Sequence, residues 1–424
     1  MMMTLDPDTT ANSLSVTAHR TCRACGQPLS EVFVDLRAQP LCESYLTEAD
    51  LRVPEVTYPL RTYVCSGCLL VQAEDFATPD EIFREYAYFS SYSTSWLEHA
   101  ARYCDAATER ERLGATSFVV ELASNDGYLL KNFVAAGVRV LGIDPAVNVG
   151  EVARSRGVPT LSEFFGSELA TQVAAEHGRA DLIVANNVLA HVPDINDFLA
   201  GVRVLLAPTG TASFEFPHLL ELMKLRQFDT IYHEHFSYLS LVAVERLLAA
   251  HGLEVVDVEQ LPTHGGSLRL WVAHAGERGA APSVARLREV EREAGLYDLA
   301  RYRGFQGEVE TVKRELLTLL LDLHAKGLRV AGYGAPGKGN TLLNYCGIGT
   351  ELLPYTVDRN PYKQGRFLPG SRIPIYPPER LLECRPDVIL ILPWNLKDEI
   401  VAQLSEARAW GARFAVPIPT PALI

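Results

Sequence analysis

The sequence predicts an α/β protein of several domains, and three observations predict it. From about Ala87 to His274, and again from Gly327 onward, apolar runs ending in small polar turns alternate with helix-forming stretches. That alternation builds parallel sheets with helices on both faces. Two Cys-x-x-Cys pairs stand near the N-terminus. Finally, 424 residues are too many for one ordinary hydrophobic core.

Composition narrows the class. Hydrophobic residues make up 48% of the chain. Mean hydropathy is +0.04. No apolar run reaches membrane-spanning length. Residues 1–19 are polar and rich in Thr and Ser. They lack the charged and apolar regions of a signal peptide, so a disordered leader and a cytoplasmic location are expected. The formal net charge of −13 argues against nucleic acid as the main partner, because phosphate contacts need a basic surface. A small anionic substrate needs only a local cluster of donors. A monomer is expected, with no membrane partner.

The first part spans residues 20–80. Cys22 and Cys25 flank one probable turn, Cys65 and Cys68 another. Four thiolates in two such knuckles match a tetrahedral zinc site. Four sulfurs close the coordination shell, so the metal is expected to fold a lobe with too little core of its own. Cys42, Cys104, Cys346 and Cys384 are scattered.

The second part spans residues 81–280. Leu97 to Arg112 has helical spacing. Ser117 to Gly127 reads as an apolar strand entering a tight polar turn, with a helix from Tyr128 to Ala136. Strands are expected over Arg139–Asp144, Ala180–Asn187 and Gly210–Phe216. Glu254–Leu261 and Ser267–His274, joined by Pro262-Thr-His-Gly-Gly266, read as an antiparallel hairpin at the sheet edge. Ligands of such sheets lie beyond the carboxyl ends of the strands. Those ends carry Asn125, Asp126, Asp144 with Pro145, Asn186 and Asn187. Residues 281–326 are charged and helix-forming, and read as a linker.

The third part spans residues 327–424. Arg329 to Asn340 is a strand, a glycine-rich turn and a helix start, and further strands are expected over Glu351–Asp358, Asp387–Leu392 and Arg413–Val416. In that turn, exposed amides at the helix N-terminus with Lys338 would hold a diphosphate. Gly334, Gly339 and Asn340 belong to the turn, and Arg359, Asn360 and Lys363 form a second, basic loop.

Two motifs carry chemistry. In Glu121-Leu-Ala-Ser-Asn-Asp-Gly127, small residues at Ala123, Ser124 and Gly127 let a ligand approach the backbone closely. Asn125 and Asp126 occupy the turn where a dinucleotide fingerprint has glycines. An acid there repels a diphosphate but suits a sulfonium and its α-amino group. Asp144 could accept both ribose hydroxyls. The second motif, Tyr232-His-Glu-His-Phe-Ser-Tyr238, follows a strand end. Proton abstraction beside a carbonyl needs a base of near-neutral pKa and a donor for the enolate, which His and Tyr supply. As metal ligands, His233 and His235 share a face only in a strand, and no third ligand is near in sequence.

Taken together, these motifs resemble the sugar C-methyltransferases that act on nucleotide-linked 4-keto deoxysugars in antibiotic biosynthesis. The resemblance covers about Thr21 to the end and rests on the four-cysteine knuckle, Glu-x-Ala-Ser-Asn-Asp-Gly with Tyr-His-Glu-His-Phe-Ser-Tyr, and Gly-Tyr-Gly-Ala-Pro-x-Lys-Gly-Asn. It implies a zinc lobe, a class I S-adenosylmethionine methyltransferase core and a Rossmann-like C-terminal domain that holds a dTDP-hexose. It also implies His235 as base assisted by Glu234, Tyr86 and Tyr232 near the sugar, and Asn187 and His191 lining the cleft. The His264-Gly265-Gly-Ser267 turn would border it. C-3 methylation is the first expectation and C-5 the alternative. A non-catalytic nucleotide-sugar binder, a methyltransferase of tRNA or protein, and a nicotinamide-dependent sugar enzyme are the rival classes.

Overall fold

A computed structural model of the chain describes residues 20–76, 91 and 94–424. The expected leader and Tyr86 lie outside the described residues. Three sheets organise the rest.

The central sheet has seven strands, in the order Leu253–Leu261, Ser267–His274, Leu206–Pro217, Ala180–Asn186, Phe118–Leu122, Arg139–Ile143 and Thr160–Leu161. From Leu206–Pro217 onward every pairing is parallel. Ser267–His274 enters antiparallel, with Leu268 opposite Phe216 and Leu270 opposite Phe214, so the expected hairpin stands at the edge. Phe118–Leu122 is buried on both faces, as a covered parallel strand must be.

The N-terminal sheet pairs Glu31–Gln39, Tyr58–Val64 and Val71–Ala73 antiparallel. Its fourth strand is Ser237–Tyr238, the end of the histidine motif, paired with Val71–Ala73. That motif is therefore sewn into the cysteine lobe.

The C-terminal sheet has six strands, in the order Ile375–Tyr376, Thr356–Val357, Val330–Tyr333, Val388–Ile391, Arg413–Val416 and Ala422–Leu423. Strand order reverses at Val330–Tyr333, so the glycine-rich turn opens at the topological switch point. The strand expected over Glu351–Asp358 shortens to Thr356–Val357. Pro354 has no amide for a ladder, and a turn carries residues 349–352.

The expected linker is instead packed structure. Pro282–Glu293, Leu299–Arg303 and Phe305–Ala325 are helices. On the last, Phe305, Val309, Val312, Leu316, Leu320 and Leu323 are buried along one stripe. Phe305 stacks on Phe33 of the N-terminal sheet at 4.7 Å between centroids. One apolar cluster runs from Phe33 and Val64 through Tyr302 and Phe305 to Leu342 and Leu390. Burial of this kind contributes about 25 cal/mol per Å², so the lobes share a core.

Candidate active site

The four knuckle cysteines converge, with all sulfurs within 4.8 Å of one another. Cys22 and Cys68 Sγ are 3.5 Å apart, as are Cys25 and Cys65. Four sulfurs at a Zn–S distance of about 2.3 Å span tetrahedron edges of roughly 3.8 Å, so zinc fits. Gln72 Nε2 donates to Cys22 Sγ at 3.1 Å, an outer contact that orients the ligand. Among the described residues this is the only cluster of its kind. His233 and His235 do not form one. His233 turns to the Pro59 carbonyl at 3.2 Å, and His235 to that of Thr230.

At the end of Phe118–Leu122 the chain makes an alternating left-handed turn, with φ of 52° at Ala123, 48° at Asn125 and 76° at Gly127. The Asp144 carboxylate ties this turn to the next one. It accepts the Asn125 amide at 2.8 Å and the Ala146 amide, just past Pro145, at 2.9 Å. The expectation that Asp144 is free for ribose is thus modified: its first duty is to hold both turns. Asp126 bonds the Ser91 hydroxyl and Arg156, the latter at 2.9 Å.

Burial, then the Asp144 and Asp126 carboxylates, push the Glu121 carboxyl well above the usual carboxylate range. Burial also raises Asp144. Glu121 Oε2, Asp126 Oδ1 and Asn186 Oδ1 are buried without hydrogen-bond partners among the described residues. Acids with unmet acceptors suit a ligand bearing a sulfonium, an ammonium and hydroxyls. The donor set therefore fits S-adenosylmethionine.

The histidine motif meets the segment that follows Ala180–Asn186, where the Phe236 amide donates to the Ala190 carbonyl at 2.8 Å. His235 donates Nδ1–H to the Thr230 carbonyl at 2.8 Å, which leaves Nε2 as the free nitrogen. Its ring lies 4.1 Å from that of Tyr232 and 4.7 Å from that of His191, centroid to centroid. His191 donates Nδ1–H to the Glu234 carbonyl at 2.7 Å. Burial first, then the charges of His191 and Lys338, hold the His235 pKa well below its ordinary value. The imidazole is therefore an uncharged base at neutral pH.

Glu234 does not orient that ring, contrary to expectation. Its Oε2 accepts the Cys42 thiol at 3.0 Å. Burial pushes its carboxyl up to about 7. The tautomer is held by Thr230 instead.

A polar and aromatic cluster beside Asn187 and His264 is not apparent in the sequence. Glu215 is wholly buried and takes Arg269 at 2.7 Å, His99 at 2.9 Å and the Thr263 hydroxyl at 3.1 Å. Trp96 stacks on His99 at 4.9 Å and meets His264 at 5.2 Å. His264, at φ 54°, is 3.5 Å from the Asn187 amide, itself at φ 57°. Glu215 carries a visible signal, a lone acid inside an apolar strand. His99 and Trp96 carry none. Ser267 is buried and closes its turn on the Thr263 carbonyl.

The C-terminal turn departs most from expectation. Three of its amides are already taken: Gly334 N by the Val357 carbonyl at 2.7 Å, Ala335 N by Asp358 at 2.7 Å, Gly337 N by Glu43 at 3.1 Å. Pro336 has no amide. Carboxylates thus occupy the cradle assigned to a diphosphate. Gly339 packs on Leu392, and Asn340 is buried against Asn344. Asn360 closes its own loop on the Tyr362 amide, and Lys363 donates to the Ala335 carbonyl at 2.9 Å. Arg359 stays exposed. Lys338 reaches the domain seam instead, donating to Asn395 Oδ1 at 2.6 Å with Nζ 4.7 Å from the Trp394 ring centroid. Gly265 borders the same ring.

Comparison with known proteins bears on this arrangement. Residues 22–83 match a family model described as a zinc binding domain, 96–258 one described as a methyltransferase domain, and 262–419 one described as a C-methyltransferase C-terminal domain. C-methyltransferase NovU of Streptomyces niveus is 41% identical over 404 residues, 95% of this chain and 96% of that protein. The chain belongs to the C-methyltransferase family. Ubiquinone biosynthesis O-methyltransferase of Rhodopseudomonas palustris (strain TIE-1) is 25% identical over 148 residues, covering 30% of this chain and 58% of that protein. Among solved structures, magnesium protoporphyrin IX methyltransferase from Synechocystis PCC 6803 with bound SAM is 13% identical, with a TM-score of 0.32 over 43% of this chain and 79% of that one.

The C-methyltransferase is an S-adenosylmethionine-dependent enzyme with a zinc-binding lobe, as the motifs implied. No described helix is long and apolar enough to cross a membrane.

Proposed function

We propose that this C-methyltransferase methylates a dTDP-linked 4-keto-deoxysugar at the carbon beside the ketone, C-3 in the first instance. The observation that carries the reading is His235. It is an uncharged imidazole with Nδ1–H fixed on the Thr230 carbonyl, flanked by Tyr232 and by His191, which follows Ala180–Asn186, the strand paired with the one that carries Glu121.

The C-4 ketone acidifies the neighbouring C–H. His235 Nε2 takes that proton, and the Thr230 carbonyl stabilises the imidazolium through Nδ1–H. Tyr232, with Tyr86 outside the described residues, donates to the enolate oxygen. When bound, S-adenosylmethionine would supply an electrophilic methyl to the enolate carbon, its sulfur leaving as the thioether S-adenosylhomocysteine. Glu121, Asp126, Asp144 and Asn186 would hold that donor. Asn187, His191 and His264 line the sugar's side of the cleft. The C-terminal domain, with Lys338 at its seam and Arg359 exposed, anchors the nucleotide, so binding far from the reacting carbon orients it.

Solvent exchange tests this. With a panel of dTDP-4-ketohexoses in D₂O and S-adenosylhomocysteine in place of the donor, the wild type should wash deuterium into the carbon beside the ketone. His235→Asn should not. Equal exchange by both would remove His235 from the role. Product NMR assigns the methylated carbon, and a C-5 product would replace the C-3 assignment.

A further inference from the structure

The loop that carries the base has little structure of its own. Between the short turn Phe228–Thr230 and the strand Ser237–Tyr238 it forms no ladder, so bonds to other parts of the fold must place it. Two side chains from the flanking domains stand at its ends. Trp394, of the C-terminal domain, donates Nε1–H to Asp229 Oδ2 at 2.7 Å. Asp229 precedes Thr230, whose carbonyl holds His235. Cys42, of the N-terminal lobe, donates its thiol to Glu234 Oε2 at 3.0 Å. Glu234's carbonyl holds His191.

Both anchors are locked. Trp394 is 6% exposed, and a Cβ on Gly265 would lie 3.0 Å from its ring. Cys42 is 2% exposed, and a Cβ on Gly337 would lie 2.7 Å from its sulfur. Asp229 Oδ1 is buried without a hydrogen-bond partner among the described residues, and burial pushes the carboxyl up to about 6 against the Lys338 charge and the Trp394 bond.

We propose that Trp394 and Cys42 are positioning residues for the methyltransferase: they pin the 229–235 loop from both sides and set the orientation of His235 and His191. The inference rests on the assignment of His235 as base. It gives both outer domains a part in placing the proton-transfer groups, beyond metal and nucleotide binding. The chain of contacts is short at each end. Trp394 fixes Asp229, Thr230 follows it, and Thr230 orients the base. Cys42 fixes Glu234, whose carbonyl orients the neighbouring imidazole. A misplacement of about 1 Å at a reacting group costs on the order of 10²-fold in rate, so weak bonds at such points are read out in turnover.

The test uses full-length, zinc-loaded protein and whichever dTDP-4-ketohexose of the panel turns over. Trp394→Phe keeps the ring and removes the N–H. Cys42→Ala removes the thiol donor, and Cys42→Ser restores a donor. Asp229→Ala removes the acceptor, and Asp229→Asn keeps one. Trp394→Phe, Cys42→Ala and Asp229→Ala should each lower kcat by roughly 10–100-fold with KM for both substrates changed less than about twofold. Cys42→Ser and Asp229→Asn should recover most of the loss. Unchanged kcat in Trp394→Phe and Cys42→Ala, a serine variant as slow as the alanine one, or losses confined to KM would overturn the proposal. Should Cys42→Ala fail to fold, kcat and KM of Trp394→Phe and of the serine variant still decide between the two outcomes. His235→Asn is run alongside: if it turns over normally, the base assignment fails, whereas its loss with wild-type behaviour in the anchor variants sinks this inference alone.

Discussion

Thr230 holds His235 by a 2.8 Å bond from Nδ1–H to its backbone carbonyl. A main-chain acceptor cannot titrate and is absent from no variant. The tautomer should therefore survive loss of the Glu234 carboxylate, and His235 should be separable from Glu234. His235→Ala should lower kcat by roughly 10²–10⁴, the usual worth of general base catalysis, with both ligands still bound in calorimetry. Glu234→Gln should cost less. A larger loss in Glu234→Gln would make the carboxylate the base.

Asp144 joins two turns through two amides. Hydrogen bonds to a charged acceptor contribute about 1.5–3 kcal/mol, so Asp144→Ala should weaken S-adenosylmethionine binding about ten- to hundredfold. Binding of dTDP should hardly change. Lys338→Ala, at the seam of the other domain, should do the reverse. Equal losses of both ligands in either variant would refute the division of labour.

Zinc removal should unfold more than its own lobe. Metal analysis should find about one zinc per chain, and Cys22→Ser or Cys68→Ser should yield misfolded protein. Because Ser237–Tyr238 is a strand of the same sheet, chelation should raise hydrogen exchange at Phe236 and Tyr238 as well. Protection unchanged there would argue against the shared sheet.

Glu215 supplies a pH dependence. Burial alone would raise its carboxyl, but the His99 hydrogen bond and the Arg269 and His99 charges outweigh it and hold the pKa below the ordinary value. A depressed acid contributes stability that is present above the unfolded pKa and lost as pH falls through the folded one. Resistance to urea should thus fall as pH drops below the ordinary carboxylate range. Arg269→Met, which strands the buried charge, should cost about 3–5 kcal/mol at neutral pH, with the gap from wild type narrowing in acid. A constant gap would exclude the ion network as its source.

The local features are legible in the sequence because local chemistry fixes them. Cys22 to Cys68 spacing, the small residues at Ala123 and Gly127, and the hairpin over 254–274 each need only neighbours. The strand at Thr356–Val357 is shorter than its apolar pattern suggests because Pro354 interrupts the ladder. What stays hidden is contact at long range. Cys42 meets Glu234 across 192 positions, and Trp394 meets Asp229 across 165. The glycine-rich turn shows the same limit. Open amides are a fair inference from Gly334 to Lys338, but Glu43, from another domain, already sits on that of Gly337, and Asp358 on that of Ala335.

The strand Ser237–Tyr238 has a consequence for engineering. A chimera that exchanges the cysteine lobe at a boundary near residue 80 would leave behind one of that lobe's own strands, and would ask a foreign sheet edge to accept it. A transplantable module would have to carry the segment from Asp229 to Tyr238 along with residues 20–76. Breakpoints that preserve turnover should therefore come in pairs, two cuts far apart in the chain rather than one.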